Sequence, residues 1–240
     1  MNRTIKKFLA FTIAFFIIFS IIVNNKIVKE KPVIAQTEEN VVKTEREFKH
    51  FIDDLSNFPV SFVYDDVYYK GFRPKYFNLK SKQEKEDNDI LKVTIVLTIA
   101  QLEIRIIANL YRDYNAYDYT VYFRNNSSSD TKILREVNSF DYVIKGENPR
   151  LKGILGDHVN NYKPYDYDLT ENPVNFTSTL GRATHVYFPY FNVETDEGGY
   201  MLALGWGGTW KSDFIYDKNG TQVKLVSNVG WQNEGTITYL

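Results

Sequence analysis

The chain has 240 residues and no cysteine, and its 29 basic and 30 acidic side chains leave a formal net charge of −1. This length allows one large domain or two small ones. A nearly neutral chain lacks the basic surface that nucleic acid requires, so nucleic acid is excluded as a partner. Aromatic residues make up 16% of the chain, with Tyr and Phe dominant, and this enrichment favours strands.

The first 24 residues read as a signal peptide or a membrane anchor. Arg3 and two lysines precede an apolar run from Phe8 to Val23. As a helix this run would rise about 24 Å against a hydrocarbon core of about 30 Å, so removal as a signal and retention in the membrane both stay open. In either case we expect the rest of the chain to be exported, and to be secreted or anchored at the outer face of the membrane. Without disulfides, its stability must come from its core.

Residues 25–56 are predicted to form a linker that contains a short helix. Thr37 is a suitable N-cap, and Glu38 and Glu39 suit the positive end of the helix dipole. The apolar residues of this segment recur at helical spacing and gather on one face: Val41, Phe48, Phe51, Ile52 and Leu55. The simplest role for this helix is a spacer that lifts the next domain off the membrane.

Residues 57–240 are predicted to form a β-sandwich domain, because apolar and polar residues alternate there with period two. The nine candidate strands are VSFVYD, DILKVTIVLT, LEIRIIANLY, YDYTVYFRN, ILREVNSFDYVI, THVYFPYFNVE, GYMLALGWGGTW, DFIYD and TQVKLVSNVG. Asn219-Gly220 predicts a type I′ hairpin turn, and the charged run at 81–89 predicts a solvated loop. So many antiparallel strands favour two large packed sheets.

The stretch GWGGTW at 205–210 places two of the three tryptophans among glycines. On an unbroken strand Trp206, Gly208 and Trp210 would share one face, and the missing side chain of Gly208 would leave a gap between the two rings. Three occupants of that gap are considered: a core side chain, another domain, or a sugar ring. Trp206 and Trp210 are therefore the candidate residues for carbohydrate binding or for an interdomain contact.

Sequence patterns predict no catalytic residue, no metal and no cofactor. The three histidines, His50, His158 and His185, lie far apart in the chain and show no metal-ligand spacing. A GxSxG nucleophile motif, a phosphate-binding glycine loop and a cysteine nucleophile are all missing from the sequence. Acidic residues are plentiful, but none stands apart from the turns and loops in which these residues are common.

A family resemblance appears in the segment LGRATHVYFPYFNVETDEGGYMLALGWGGTWKSDF at 180–214. It resembles the end of the N-terminal β-supersandwich domain of glycoside hydrolase family 36, the bacterial α-galactosidases. FPVSFVYDD at 58–66 is similar to the opening of that domain, and the resemblance covers about residues 56 to 240. The matching positions are Gly181, Arg182, Pro189, Phe191, Asn192, Glu194, Gly198, Gly199, Gly205, Trp206, Gly208 and Trp210.

The resemblance implies an all-β fold, a large antiparallel two-sheet supersandwich like that of galactose mutarotase. In the family, the paired catalytic aspartates lie in a (β/α)₈ barrel that follows this domain, and no residue here matches their motifs. The resemblance therefore implies an exported N-terminal accessory domain of an α-galactosidase-like glycoside hydrolase, involved in carbohydrate metabolism as part of a larger or split enzyme and not catalytic alone. We expect the sandwich to be truncated at its C-terminal end.

The partners implied are a catalytic barrel domain or a split partner chain, a galactose-containing oligosaccharide, and the membrane through Phe8 to Val23. One alternative is a freestanding cell-surface carbohydrate-binding module that uses Trp206 and Trp210 as a stacking platform. Another is a purely structural domain. Fold resemblance alone does not choose among these functions.

Overall fold

The computed structural model describes residues 38–158 and 160–230. The predicted signal peptide or anchor at residues 1–24, with its apolar run, lies outside the described residues, as do the last ten positions of the chain. Within the described part, no helix combines the length and apolar character needed to cross a membrane.

In this part of the chain one α-helix precedes a long series of strands. The helix α1 is Glu38–Asp53. The strands are β1 Ser61–Tyr64, β2 Val67–Lys70, β3 Asn78–Asp87, β4 Ile90–Ile99, β5 Leu102–Tyr111, β6 Ala116–Asn125, β7 Leu134–Lys145, β8 Arg150–Leu155, β9 Pro164–Asp168, β10 Val174–Ser178, β11 Tyr187–Thr195, β12 Gly198–Ala203, β13 Trp210–Asp217 and β14 Gln222–Val229. Short 3-10 turns follow α1 and β5.

The strands form one six-stranded sheet and two four-stranded sheets, and neighbouring strands pair antiparallel. The six-stranded sheet has the order β10-β13-β14-β7-β1-β2. The smaller sheets have the orders β3-β4-β5-β6 and β12-β11-β8-β9. Below, the last of these is called the β11 sheet.

Two hydrophobic cores lie between the sheets. The first joins α1, β1 and the β3-β4-β5-β6 sheet, and the second joins β13, β14 and the β11 sheet. Tyr142 on β7 packs against both cores. The side chain of Tyr142 points to only one face of the six-stranded sheet. Since it contacts both cores, both smaller sheets pack on that same face. The predicted all-β sandwich is confirmed, with one of its two layers divided into two sheets.

Alternation in the sequence accounts for the central strands. On β5 the even positions from Leu102 to Leu110 are buried, whereas Glu103, Arg105 and Asn109 point away from the core. A half-buried strand requires this period of two, and β-branched residues fit its pleated surface. The same regularity makes β4 and β6 recognisable from the sequence.

The charged run at 81–89 is not a loop, and the prediction for it is wrong. Strand β3 passes through this run and pairs with β4 along its whole length, from Asn78 opposite Thr98 to Asp87 opposite Ile90. Almost all side chains of β3 are exposed, so the strand has no apolar alternation to reveal it. Charged side chains on an edge strand oppose further strand pairing, which explains this composition. Four more strands have no counterpart among the nine predicted: β2, β8, β9 and β10.

The hairpin predicted at Asn219-Gly220 is present, but its turn type differs from the prediction. The β13–β14 ladder closes with Asp217 opposite Gln222, which leaves a four-residue loop at 218–221. A type I′ turn requires positive φ at both central residues. In this loop it is Thr221, with φ of +44°, that adopts the left-handed conformation.

Helix α1 falls inside the predicted linker, yet its later turns belong to the sandwich. Phe48, Phe51 and Ile52 are buried in the first core. Phe51 meets Tyr142 edge to face, with ring centroids 5.5 Å apart. The apolar face of the helix therefore contributes to the stability of the domain, which a free spacer would not do.

Candidate functional site

The predicted strand through residues 198–210 is interrupted. Strand β12 ends at Ala203 and β13 begins at Trp210, with a glycine-rich loop at 204–209 between them. The Gly207 carbonyl in this loop accepts a hydrogen bond from the Ala183 amide at 3.2 Å. The loop backbone is therefore bonded to another loop and not to a neighbouring strand. Trp206 and Trp210 are expected to share one face only on an unbroken strand, and the strand is broken between them.

Trp210 is a core residue. Its side chain is 0% exposed and meets Phe191 edge to face at 5.5 Å. Its indole N–H donates to the carbonyl oxygen of Ala183 at 2.7 Å, which satisfies the one polar group of the ring. With both ring faces buried, Trp210 presents no surface for a ligand in this structure, so the predicted two-tryptophan platform does not form.

Trp206 has the opposite environment, since 47% of its surface is exposed. Its ring folds over the loop onto Gly208, where an added Cβ would lie 2.9 Å from the indole Nε1. The glycine therefore allows the nitrogen-bearing part of the indole to lie close to the backbone. The exposed remainder of the ring is the part that a ligand or another domain could contact, and that role stays a prediction for Trp206.

Three loops meet beside Trp206, and we call them the loop cluster: residues 156–158, 179–186 and 204–209. Backbone hydrogen bonds join them. The Asp157 amide donates to the Thr184 carbonyl at 2.9 Å, and the Gly207 carbonyl accepts from Ala183. Gly156 has no room for a side chain, since an added Cβ would lie 2.0 Å from the Thr184 carbonyl oxygen. The loop cluster is thus held at a defined position at the end of the second core.

Two histidines that lie far apart in the sequence stack in the loop cluster. The rings of His158 and His185 have centroids 4.6 Å apart and planes inclined by 28°. Arg182 Nη2 lies 3.1 Å from His185 Nδ1. A guanidinium only donates hydrogen bonds, so His185 Nδ1 is the acceptor in this contact. No spacing in the sequence signals this pair, because the loops that carry it are joined only by tertiary contacts.

Asp157 completes the polar part of the loop cluster. Its Oδ2 accepts from Thr184 Oγ1 at 3.2 Å and lies 3.7 Å from Arg182 Nη1. Its Oδ1 is buried and has no hydrogen-bond partner in the described structure. Arg182 therefore joins the carboxylate to the histidine pair. These groups can donate to and accept from ligand hydroxyls beside an exposed indole, a combination that suits sugar recognition.

Aromatic residues extend this region over the outer face of the β11 sheet. Phe188 and Tyr190 point away from the core on β11 and stack with centroids 5.1 Å apart. Tyr162 meets Phe188 edge to face at 6.0 Å, and Tyr190 is half exposed. The sequence resemblance matched Pro189 and Phe191 in this strand, but it did not single out the outward-facing rings.

A buried polar network lies on the outer face of the six-stranded sheet. Asp141 is 3% exposed and accepts hydrogen bonds from Lys70 Nζ at 2.6 Å, Ser61 Oγ at 2.8 Å and the Tyr68 hydroxyl at 3.0 Å. Burial alone would raise the pKa of Asp141, but the bonds from Lys70, Ser61 and Tyr68 outweigh it and lower the pKa below its ordinary value. The network joins β1, β2 and β7.

Glu47 on α1 is a carboxyl group in the opposite situation. Burial raises its pKa, and the hydroxyls of Tyr142 and Tyr117 offset only part of that effect. Its Oε1 is buried without a hydrogen-bond partner among the described residues. Elsewhere in the described part of the chain, no group of three or more His, Cys, Asp or Glu side chains could hold a metal ion.

Solved α-galactosidase structures share this fold. The galactosidase domain of the α-galactosidase-sucrose kinase AgaSK matches 77% of this chain, with a TM-score of 0.58 and 15% identity. The family 36 α-galactosidase AgaA from Geobacillus stearothermophilus matches 75%, with a TM-score of 0.55 and 13% identity. The α-galactosidase from Lactobacillus brevis matches 72%, with a TM-score of 0.55 and 11% identity. No protein-family model and no curated protein matches the chain.

The chain spans about a quarter of the length of these solved chains, since it covers 28% of the first two and 25% of the third. At such low identity the likeness establishes the fold and leaves activity to be argued separately. The chain therefore has a β-sandwich fold found within α-galactosidases of glycoside hydrolase family 36, and the resemblance read from its sequence is confirmed at the level of the fold.

Proposed function

We propose that this chain is an exported accessory domain that acts in carbohydrate metabolism beside an α-galactosidase-like catalytic domain or partner chain, and that it is not catalytic alone. The observation that carries the proposal is the uneven coverage of the structural match. About three quarters of this chain superimposes on about one quarter of each enzyme. A fold that forms a minor part of a glycosidase is best explained as a non-catalytic neighbour of its active site.

The loop cluster supports the proposal by supplying a surface on which a partner could dock. Trp206 is the exposed large aromatic residue of that surface, and Arg182 lies in the adjoining loop with half of its side chain exposed. Tryptophan and arginine are the residues that most often dominate binding energy at protein interfaces. Trp210 has no part in this role, because its ring is buried.

The experiment compares the pure chain with the chain captured from its source cells. A tagged chain is captured, and both samples are tested for release of nitrophenol from a nitrophenyl α-galactoside. We expect no release by pure chain, and release by a captured fraction in which a glycosidase barrel is identified. Trp206→Ala should remove that activity, whereas Met201→Ala, at an exposed position on β12, should not. Turnover by pure chain, or capture without an identified glycosidase, contradicts the proposal.

A second candidate function is carbohydrate binding by the free chain, and the exposed position of Trp206 favours it. The indole Nε1 lies close to Gly208, and nearly half of the residue stays exposed, which leaves aromatic surface for a sugar ring to stack on. Native electrophoresis in a gel with galactomannan tests this function. Retardation that Trp206→Ala abolishes supports it, and equal mobility with and without the polysaccharide rules it out. Leu180→Ala, at another exposed apolar position of the loop cluster, is the matched control.

A further inference from the structure

A small depression lies at the edge of the six-stranded sheet, away from the loop cluster, and we call it the β2 depression. It lies between β2 and the loop at 71–77 and has a volume of about 140 Å³. Its lining is aromatic and basic: Tyr68, Tyr69, Lys70, Gly71, Arg73 and Tyr76. No acidic side chain lines it, so its surface favours an anionic ligand.

Two of the lining side chains, Tyr68 and Lys70, are held in place by hydrogen bonds to a buried carboxylate. Tyr69 packs against Phe62 in the first core, so Tyr68 and Lys70 point to the opposite face of the sheet. Both donate to the buried carboxylate of Asp141, Lys70 at 2.6 Å and Tyr68 at 3.0 Å. Side chains fixed in this way lose little conformational freedom when a ligand binds.

The loop that forms the other wall is also fixed. Gly71 has φ of +60°, and an added Cβ would lie 2.2 Å from the Ser56 carbonyl oxygen, so only glycine fits this approach. Phe72 and Phe77 bury both ends of the loop in the first core. The exposed residues between them, including Arg73, therefore stand on a short and well-anchored segment.

The charge of the β2 depression is positive. Asp141 compensates Lys70, but Arg73 in the lining and Lys75, which lies outside the lining on the same loop, have no acidic partner within ion-pair distance in the part of the chain that the structure describes. Lys75 Nζ instead lies 4.4 Å from the centre of the Tyr76 ring. Tyr68 and Tyr76 are 55% and 43% exposed, so aromatic surface is available beside the uncompensated cations.

We propose that the β2 depression binds the anionic group of an acidic sugar, a carboxylate or a phosphate. Arg73 would pair with the anion, because its planar guanidinium matches both groups with two parallel hydrogen bonds. A tyrosine ring would pack against the sugar ring. The volume of about 140 Å³ suits a single sugar unit. The choice of a sugar as carrier rests on the proposed function in carbohydrate metabolism, whereas the choice of an anion rests on the depression itself.

Isothermal titration of the whole chain tests this site with four probes: trigalacturonate, galactose 6-phosphate, a neutral galactose-containing trisaccharide and inorganic phosphate. We expect one or both acidic sugars to bind more tightly than the neutral sugar and inorganic phosphate, and added NaCl to weaken that binding. The tighter of the two acidic probes identifies carboxylate or phosphate as the preferred anion. Binding of the neutral sugar that equals acidic-sugar binding and persists in Trp206→Ala, equal binding of inorganic phosphate, or no binding of either acidic sugar overturns the proposal.

Variants place the binding in the depression. Arg73→Gln should weaken acidic-sugar binding at least tenfold, whereas Arg124→Gln, an exposed arginine on β6, and Trp206→Ala should leave it unchanged. Circular dichroism verifies that each variant is folded. Unchanged binding by Arg73→Gln overturns the site. The two proposals fail separately: acidic-sugar binding through Arg73 without glycosidase capture refutes only the function, and capture without acidic-sugar binding refutes only this site.

Discussion

Trp210 donates its indole N–H to the carbonyl oxygen of Ala183 across 2.7 Å. This bond ties the first residue of β13 to the loop that carries Arg182 and His185. Trp210 is thus part of the second core and also positions the loop that carries the polar groups of the loop cluster. Trp206, only four positions earlier, takes no part in that core.

Replacing the two tryptophans should have very different effects on stability. Trp210→Ala should lower the free energy of unfolding by about 3–5 kcal/mol, because it leaves a large cavity in the core. Trp206→Ala should change it by about 0.5 kcal/mol or less, since its ring is half exposed. Urea unfolding followed by circular dichroism measures both. Similar losses for the two variants would contradict the buried and exposed positions described above.

Gly208→Ala should displace the Trp206 ring without unfolding the loop. The new methyl group would lie 2.9 Å from the indole Nε1, so the ring must move away from the backbone. We expect tryptophan fluorescence to shift to the red and to become more accessible to acrylamide. Gly207→Ala is the matched control, because nothing lies within 4 Å of its added Cβ. Identical spectra for the two variants would show that the ring does not rest on Gly208.

Asp141→Asn should destabilise the sandwich by about 1–3 kcal/mol, because the charge-assisted bonds from Lys70 and Tyr68 are lost or weakened. The pKa of Asp141 is lowered in the folded state, so its contribution is present above its ordinary pKa and disappears as pH falls through the folded value. Urea unfolding between pH 7 and pH 2 should therefore show a smaller acid-side loss in the variant than in the wild type.

The control for this network is Asp166→Asn. Asp166 accepts from Arg150 at 2.8 Å, but both side chains are well exposed, and such pairs contribute about 0–1 kcal/mol. A loss from Asp166→Asn as large as that from Asp141→Asn would contradict the distinction between the buried and the exposed carboxylate.

Glu47→Gln should stabilise the chain at neutral pH. The folded state raises the pKa of Glu47, so the folded chain holds this proton more tightly than the unfolded chain does. Its contribution to stability is present below the ordinary pKa and is lost as pH rises through the folded value. The melting temperature of the variant should exceed that of the wild type at pH 7, and the difference should shrink toward pH 4. A difference independent of pH would show that Glu47 does not titrate in this range.

The N-terminal segment should direct export. In a bacterial host, the full chain should be found in the medium or at the outer face of the cell membrane, and removal of residues 2–24 should retain it in the cytoplasm. Protease added to intact cells measures this, because only exported chain is cleaved. Equal protection of both forms would contradict export.

The sequence by itself determined the fold class and the central strands. Alternation on β4, β5 and β6 is a local property, since each side chain takes the opposite face from its neighbour whatever the rest of the chain does. The order of motifs around Arg182 and Phe191 was enough to identify the family of folds. Strand β3 cannot be recognised in this way, because its side chains are solvated on both faces and show no alternation. Only its pairing with β4 defines it.

Only the tertiary structure decided which groups of the candidate site come together. From the sequence, Trp206 and Trp210 have the same predicted role. In the structure the 204–209 loop interrupts the strand between them, so that Trp206 is exposed and Trp210 is buried. His158 and His185 are far apart in the sequence, and hydrogen bonds between their loops bring the two rings into a stack. Burial and proximity depend on segments that are distant in the chain, whereas periodicity reports only on near neighbours. The sequence therefore predicts the layers of the sandwich, and contacts between loops that are distant in the chain determine the site.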